Sequence, residues 1–178
     1  VSEDRRGTGL LLEESIELNI AVQAMQSQDK FLKKIMLLRI ADMKAIREHA
    51  QKMIKELDIR CTGPDQLTRR LSGGNQQKVC IAKALTLEPS ILFVSEPTRG
   101  IDVGAKKIVL DLLVRLNQEL GVTIVMTSSE LAELRSICDR IAIIYKGRLE
   151  GILPIDASDR DFGLLMAGEL SYHRKEAS

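Results

Sequence analysis

Three short runs, Ile91 to Val94, Val122 to Met126 and Ile141 to Tyr145, are almost wholly apolar, and each is parted from the next by a stretch long enough for a helix. Between the first two, Ala105 to Leu120 sets Ile108, Leu112, Leu113, Leu116 and Leu120 on one helical face, and Gly121 is a natural stop. Glu130 to Ile137 reads as a shorter helix before the third run, which turns at Lys146-Gly147 into Arg148 to Leu153. Strands apolar on both faces and alternating with helices predict a parallel sheet covered on both sides.

Upstream the period differs. Val1 to Gly9 is charged and glycine-bearing, a loop or strand exit, and Leu10 to Met25 carries Leu12, Ile16, Ile20 and Ala24 at steps of four, a short amphipathic helix or an extended lead into one. From Phe31 to Leu57 apolar residues recur at helical steps, interrupted near Ile40 to Met43, which predicts two helices. Gly63-Pro64 ends that pattern, Arg69-Arg70 leads into a Ser72-Gly73-Gly74 turn, and Asn75 to Leu87 reads as a helix. A helical part therefore precedes an α/β part, and Ser171 to Ser178 reads as a frayed tail.

Composition removes several function classes. With 26 Lys+Arg against 25 Asp+Glu, charge gives no reason to expect a polyanion such as nucleic acid, or an acidic membrane surface, as partner, and with no Trp, two Tyr and three Phe there is little to stack bases or sugars on. Cys61, Cys80 and Cys138 are odd in number and widely spaced, which argues against a disulfide framework or a zinc site and for a reducing compartment. No apolar stretch is long enough for a membrane span. The six methionines read as core or interface filler, His49 and His173 as solvated, and Lys30 to Lys34 as a wet helical face able to approach acidic groups of a partner or lipid headgroups. Cys80 reads as buried. The start at Val1, inside a polar turn, suggests an excised piece of a longer protein.

The chemistry concentrates in two places. In Leu71-Ser72-Gly73-Gly74-Asn75-Gln76-Gln77 the glycines let backbone approach an anion, the Ser hydroxyl and exposed N–H groups donate to it, and the following helix adds its dipole. The plainer reading is a Ser N-cap on a tight turn. Further on, the strand ending Ser95-Glu96-Pro97-Thr98 delivers a hydroxyl and a carboxylate to the carboxyl end of the sheet, where ligands of open α/β sheets sit. A carboxylate there can hold a magnesium-bound water or act as general base; its plainer reading is a surface Glu before a Pro. Arg99-Gly100-Ile101-Asp102 adds a second carboxylate, which could simply cap the next helix.

The ordered set LSGGNQQKV, ILFVSEPTRGIDVGAKK, SSELAEL and CDRIAIIYKGRL resembles the C-terminal portion of an ATP-binding cassette (ABC) ATPase. Its spellings are most similar to the second cassette of bacterial ribose, galactose or xylose import proteins, and VSEDRRGTGL resembles that cassette's glutamine-loop segment. The resemblance spans roughly Val1 to Leu153. It implies an α/β fold of the P-loop NTPase type, with the helical subdomain and the C-terminal half of the parallel-sheet core but without the N-terminal phosphate loop. The expected division is 1–70 for the glutamine-loop segment and helical subdomain, 71–153 for the signature and sheet half, and 154–178 for an extension and tail. By the same resemblance Ser72, Gly73, Gly74 and Gln76 are signature residues that touch ATP held by an opposing cassette. Glu96 is then the catalytic carboxylate, Asp102 lies in the loop between cassettes, and Glu3 stands at the coupling-loop position. The implied cofactors are ATP and Mg2+, with no metal held by this chain's own side chains. The implied partners are an opposing cassette, permease subunits and, indirectly, a periplasmic sugar-binding protein, at the cytoplasmic face of the inner membrane.

Three departures temper these expectations. No G-x-x-x-x-G-K-[ST] loop is present, nor any Gly-Lys dipeptide. Ser95 replaces the family's magnesium-holding Asp, and Ser129 replaces a His that contacts the γ-phosphate, so a site weak in hydrolysis is expected. The alternative is a non-catalytic cassette half that supplies its signature to a partner's ATP site. A sheet short of strands also predicts self-association of the chain.

Overall fold

A computed structural model describes residues 1–2, 4–35 and 38–169, without the side chains of residues 5 and 6. Packing divides the chain into two units, Val1–Thr127 and Ser128–Ser178.

The first unit opens with a tight turn, Arg5–Gly9, wound around Asp4. The Asp4 carbonyl accepts from the N–H groups of Thr8 and Gly9, and its carboxylate accepts from that of Gly7 at 2.8 Å. Helix α1, Ile16–Gln28, starts where Ser15 caps it through the Leu18 N–H and ends at Asp29, whose φ of 54° turns the chain out of the helix. Ile16, Ile20, Ala21 and Ala24 bury its apolar stripe, and α1 packs against α2 (Met43–Glu56) and α3 (Gly73–Leu85). Asn19 lies on the same buried face, wholly enclosed. Its amide donates to the carbonyls of Leu11 and Ser15 and to Thr68 Oγ1, and its oxygen accepts from Leu11 N–H at 2.7 Å. One side chain thereby ties the lead segment, α1 and the Thr68–Arg70 turn together.

Between α1 and α2 the expected first helix of the Phe31–Leu57 stretch is instead an antiparallel hairpin, β1 Leu32–Ile35 with β2 Leu38–Ala41. The positive φ angles of Asp29 and Phe31 reverse the chain before a helix can form, and residues spaced at helical steps fit an alternating strand pattern as well. Met36 falls outside the described residues. The expected second helix is α2, capped by Asp42 and buried through Ile46, Ala50 and Met53. The lysine run is accordingly not a helical face. Lys30 reaches Thr86 O at 3.1 Å and Glu88 at 2.9 Å, and Lys33 pairs with Asp42 at 2.9 Å. His49, expected in solvent, is half-buried: its Nε2 lies 2.9 Å from Thr86 Oγ1 and its ring 5.0 Å from that of Phe31. His173 falls outside the described residues.

Strand β3, Ile91–Ser95, runs parallel to β4, Thr123–Thr127, in register Ile91↔Thr123 to Ser95↔Thr127, with α4, Val103–Leu120, as the crossover. This is the parallel sheet with helices that the apolar runs predict. Within this chain one face of β3 is covered, Leu92 and Val94 being buried, while Ile91 and Phe93 are exposed, Phe93 at 65%. An apolar pattern records which side chains favour burial, not whether this chain supplies the cover. On the edge away from β4, the Val1 amine donates to Phe93 O and Val1 O accepts from Ser95 N–H.

The second unit carries α5, Leu131–Ile137, followed by β5, Arg140–Tyr145, and β6, Arg148–Pro154. The third apolar run therefore pairs antiparallel with its own continuation, through the turn expected at Lys146-Gly147, where Gly147 has a φ of 77°. Helix α6, Asp159–Ala167, lies in what reads from sequence as an extension. It is capped by Ser158, stopped by Gly168 at φ 74°, and buries Phe162 and Leu165 in a core with Ile141 and Ile143. Ser171 to Ser178 fall outside the described residues.

Candidate functional site

The signature turn is built from below. Gln76, in the first turn of α3, is buried and donates to the carbonyls of Thr68 and Leu71, so it braces the turn rather than facing outward. Asn75 is the side chain that faces out. It donates to Ser72 Oγ at 3.0 Å while its oxygen accepts from Arg60 N–H at 2.9 Å. Ser72 caps α3 and stays exposed, Gly73 begins the helix, and Gly74 is buried where α3 meets the start of α4.

Asp102 caps α4 by accepting from Ala105 N–H at 2.9 Å. Its carboxylate thus does what the plainer reading asks, and the residue also lines a cavity with the signature. Ser72, Gly74, Asn75 and Asp102 share a cavity of about 340 Å3 with Asp58, Arg60 and Lys78, floored by Ala105, Ile108 and Val109. Lys78 is buried, donating to Asp58 O at 2.5 Å and lying 3.5 Å from the Asp58 carboxylate. Asn75, Lys78, Asp58 and Arg60 are site residues that the sequence reading passed over. Lys78 was visible as a cation one turn into the helix after the glycines; Asp58 and Arg60 lie too far back in sequence to signal the contact.

Glu96 and Ser95 occupy the carboxyl end of β3, apart from that cavity's lining. Glu96 N–H donates to Thr127 O at 2.9 Å, and its φ of 45° lies in the left-handed region that favours glycine. Ser95 Oγ accepts from Thr127 Oγ1 at 3.2 Å. Ser129 belongs to the second unit and is exposed, beside Ser128, whose hydroxyl donates to Glu133. Glu3 lies outside the described residues. Burial pushes the Cys61 and Cys138 thiols above their ordinary range, which disfavours the thiolate at both.

ATP and magnesium fit this chain unequally. The N-terminus of α3, with the Ser72 hydroxyl and a lysine on the same cavity wall, suits phosphate oxygens. No cluster of three or more His, Cys, Asp or Glu able to hold a metal occurs among the described residues. One carboxylate beside one hydroxyl leaves most of a magnesium ion's ligands to phosphate and water.

The sequence pattern of the ABC transporter family matches residues 4–99, more than half of the chain. The chain belongs to that family. It is 41% identical over 161 residues to the xylose import ATP-binding protein XylG of Thermoanaerobacter pseudethanolicus, across 90% of this chain and 30% of that protein. It is 43% identical over 151 residues to the ribose import ATP-binding protein RbsA of Bacillus subtilis, across 85% of this chain and 29% of that protein. The chain therefore spans about a third or less of the curated relatives it matches. The ABC fold is shared with the ATP-binding cassette MJ0796, solved as a dimer bound to ADP and Pi, at a TM-score of 0.68 and 23% identity over 89% of this chain and 62% of that one. An inward-facing putative metal-chelate type ABC transporter superimposes at 0.71 and 20% identity, over 87% and 59%. No helix among the described residues is long and apolar enough to cross a membrane.

Proposed function

We propose that this chain is part of the ATP-hydrolysing subunit of a bacterial sugar importer, at the cytoplasmic face of the inner membrane. The single observation that carries the reading is the shared cavity of the signature turn and Asp102. Ser72 Oγ and the N–H groups at the start of α3 donate to the terminal phosphate of a nucleotide held by an opposing cassette. Lys78 and Asp58 brace the wall behind them. Glu96 orients water and accepts its proton, while Ser95 makes at most a water-mediated contact with the metal. ATP with magnesium supplies the scissile phosphate and neutralises its developing charge. Asp102 fixes the start of α4 against the signature, Glu3 stands at the coupling loop, and permease subunits and a periplasmic sugar-binding protein complete the assembly. The relatives' names, xylose and ribose import ATP-binding proteins, support the substrate class.

The Ser95 and Ser129 positions favour a second reading, a non-catalytic half that supplies its signature to a partner's site. Calorimetric magnesium–ATP titration of this chain, beside the chain extended N-terminally to the relatives' length, separates the two. Binding and turnover by the extended chain, abolished by Glu96→Gln for turnover alone, support the importer ATPase. An extended chain that binds without turnover supports the second reading, and one that does not bind sinks the ATPase assignment.

A further inference from the structure

We infer that Asn75 is a positioning residue that holds the Ser72 hydroxyl as an outward donor, with the backbone of Arg60 as its fixed reference. What that donor meets rests on the importer reading above; the relay itself rests on geometry. An Asn amide can present either end to a neighbour, and here the neighbours decide. The Arg60 N–H can only donate, and it lies 2.9 Å from Asn75 Oδ1. The amide nitrogen must therefore face the other way, where it donates to Ser72 Oγ at 3.0 Å. The Asn75 backbone N–H, 3.5 Å from the same oxygen, adds the helix cap. Two hydrogens thus arrive on Ser72 Oγ and occupy both of its lone pairs. The hydroxyl's own hydrogen is left over, and among the described residues it donates to none.

A serine free to rotate would face the cavity as an acceptor part of the time; one loaded in this way faces it only as a donor. The group that completes it is an acceptor bringing no hydrogen of its own, as an ionised phosphate oxygen does. The reference point is anchored. Leu57 and Ile59, on either side of Asp58, are buried, and Ile59 N–H donates to Ile54 O at 2.9 Å. Buried Lys78 donates to Asp58 O at 2.5 Å, setting a positive charge at the negative end of the α2 dipole. The carboxylates on the cavity wall are engaged elsewhere, Asp58 by Lys78 and Asp102 by Ala105 N–H, and neither accepts from the serine.

The test reads the relay on the whole chain, and its effect on the chain extended to the relatives' length. In heteronuclear NMR spectra of the whole chain, Ser72→Ala should shift an Asn75 side-chain amide proton and leave the Arg60 backbone amide in place. Asn75→Ala should shift the Arg60 amide upfield. An Asn75 side-chain signal indifferent to Ser72→Ala overturns the proposal, and that result decides even if Asn75→Ala unfolds. In the extended chain, kcat/KM for ATP should fall about tenfold on Ser72→Ala and about fivefold on Asn75→Ala. Asn75→Ala should cost nothing further once Ser72 is alanine. A merely structural Asn75, or one that touches nucleotide itself, would cost the same in both backgrounds, and that outcome overturns the positioning role. If the extended chain binds ATP without turnover, the same cycle is read on its affinity. If it does not bind, the importer reading sinks, and the relay stands or falls on the amide signals.

Discussion

Gly74 and Ala105 meet with no room between them: a Cβ added to Gly74 would lie 2.9 Å from the Cβ of Ala105. The two helices that carry the signature and the Asp102 turn are thus in contact at their N-terminal ends, and the spacing is set by the absence of one methyl group.

Gly74→Ala should therefore destabilise the chain by about 1–3 kcal/mol, because neither backbone can retreat without disturbing its cap. Ala105→Gly alone should cost about 1 kcal/mol or less. The double variant should be more stable than the sum of the two predicts, as read by a double-mutant cycle in urea. Simple additivity would mean that the contact is not the constraint.

Asn19→Ala leaves the part-buried Leu11 N–H and the buried Thr68 hydroxyl without this partner, at an expected cost of about 1–3 kcal/mol. Asn19→Asp keeps the acceptor but loses both donor hydrogens and buries a charge, so it should be worse than alanine. Equilibrium denaturation ranks the two, and the reverse order would discredit the network.

Burial holds the His49 imidazole below its ordinary value of 6.5, Lys52 and Lys30 push the same way, and Glu56 and Glu88 oppose them. A base whose folded pKa is depressed prefers to fold neutral. Its stabilising effect is complete above about pH 6.5 and is lost as pH falls from there toward the folded value. The loss cannot exceed about 1.4 kcal/mol per pH unit, and solvent on the open side of the ring keeps it lower. Denaturation midpoints of wild type and His49→Gln, compared on either side of that window, should converge in the acid; parallel profiles would exclude the histidine.

Phe162 is the largest side chain in the core of the second unit, with the Arg135 guanidinium 4.7 Å above its ring. Phe162→Ala should cost about 3–4 kcal/mol and abolish hydrogen-exchange protection of β5 and β6. Retained protection there would show that α6 contributes little to holding the hairpin.

Much of the fold was legible because its signals are local. Gly121, Gly147 and the cap at Ser72 each declare a boundary through their own chemistry, and α4 declares its buried face through period alone. The β1–β2 hairpin was hidden because Phe31, Ile35 and Leu38 satisfy a helical and an alternating pattern alike; what decides between them is a pair of left-handed residues, Asp29 and Phe31, of types that rarely announce it. Helix α6 had its cap and stop in plain view but sits beyond the last recognised motif. His49 was misjudged, and Asn19 passed over, for another reason: a polar side chain is expected outside until its partners, remote in sequence, are known. In the site, Ser72 and Asp102 came from local motifs, whereas the inward turn of Gln76 and the outward turn of Asn75 depend on Thr68 and Arg60, which only folding brings near.

The left-handed backbone at Glu96 sets stability and purpose against each other at one position. Glycine would occupy that conformation without the steric cost of about 1–2 kcal/mol that a side chain incurs there. A library screened for thermal endurance would be drawn toward erasing the carboxylate proposed to act on water, and the survivors would be sturdier and inert. Improvement of this chain by directed evolution therefore has to hold residue 96 fixed and look elsewhere for its gains.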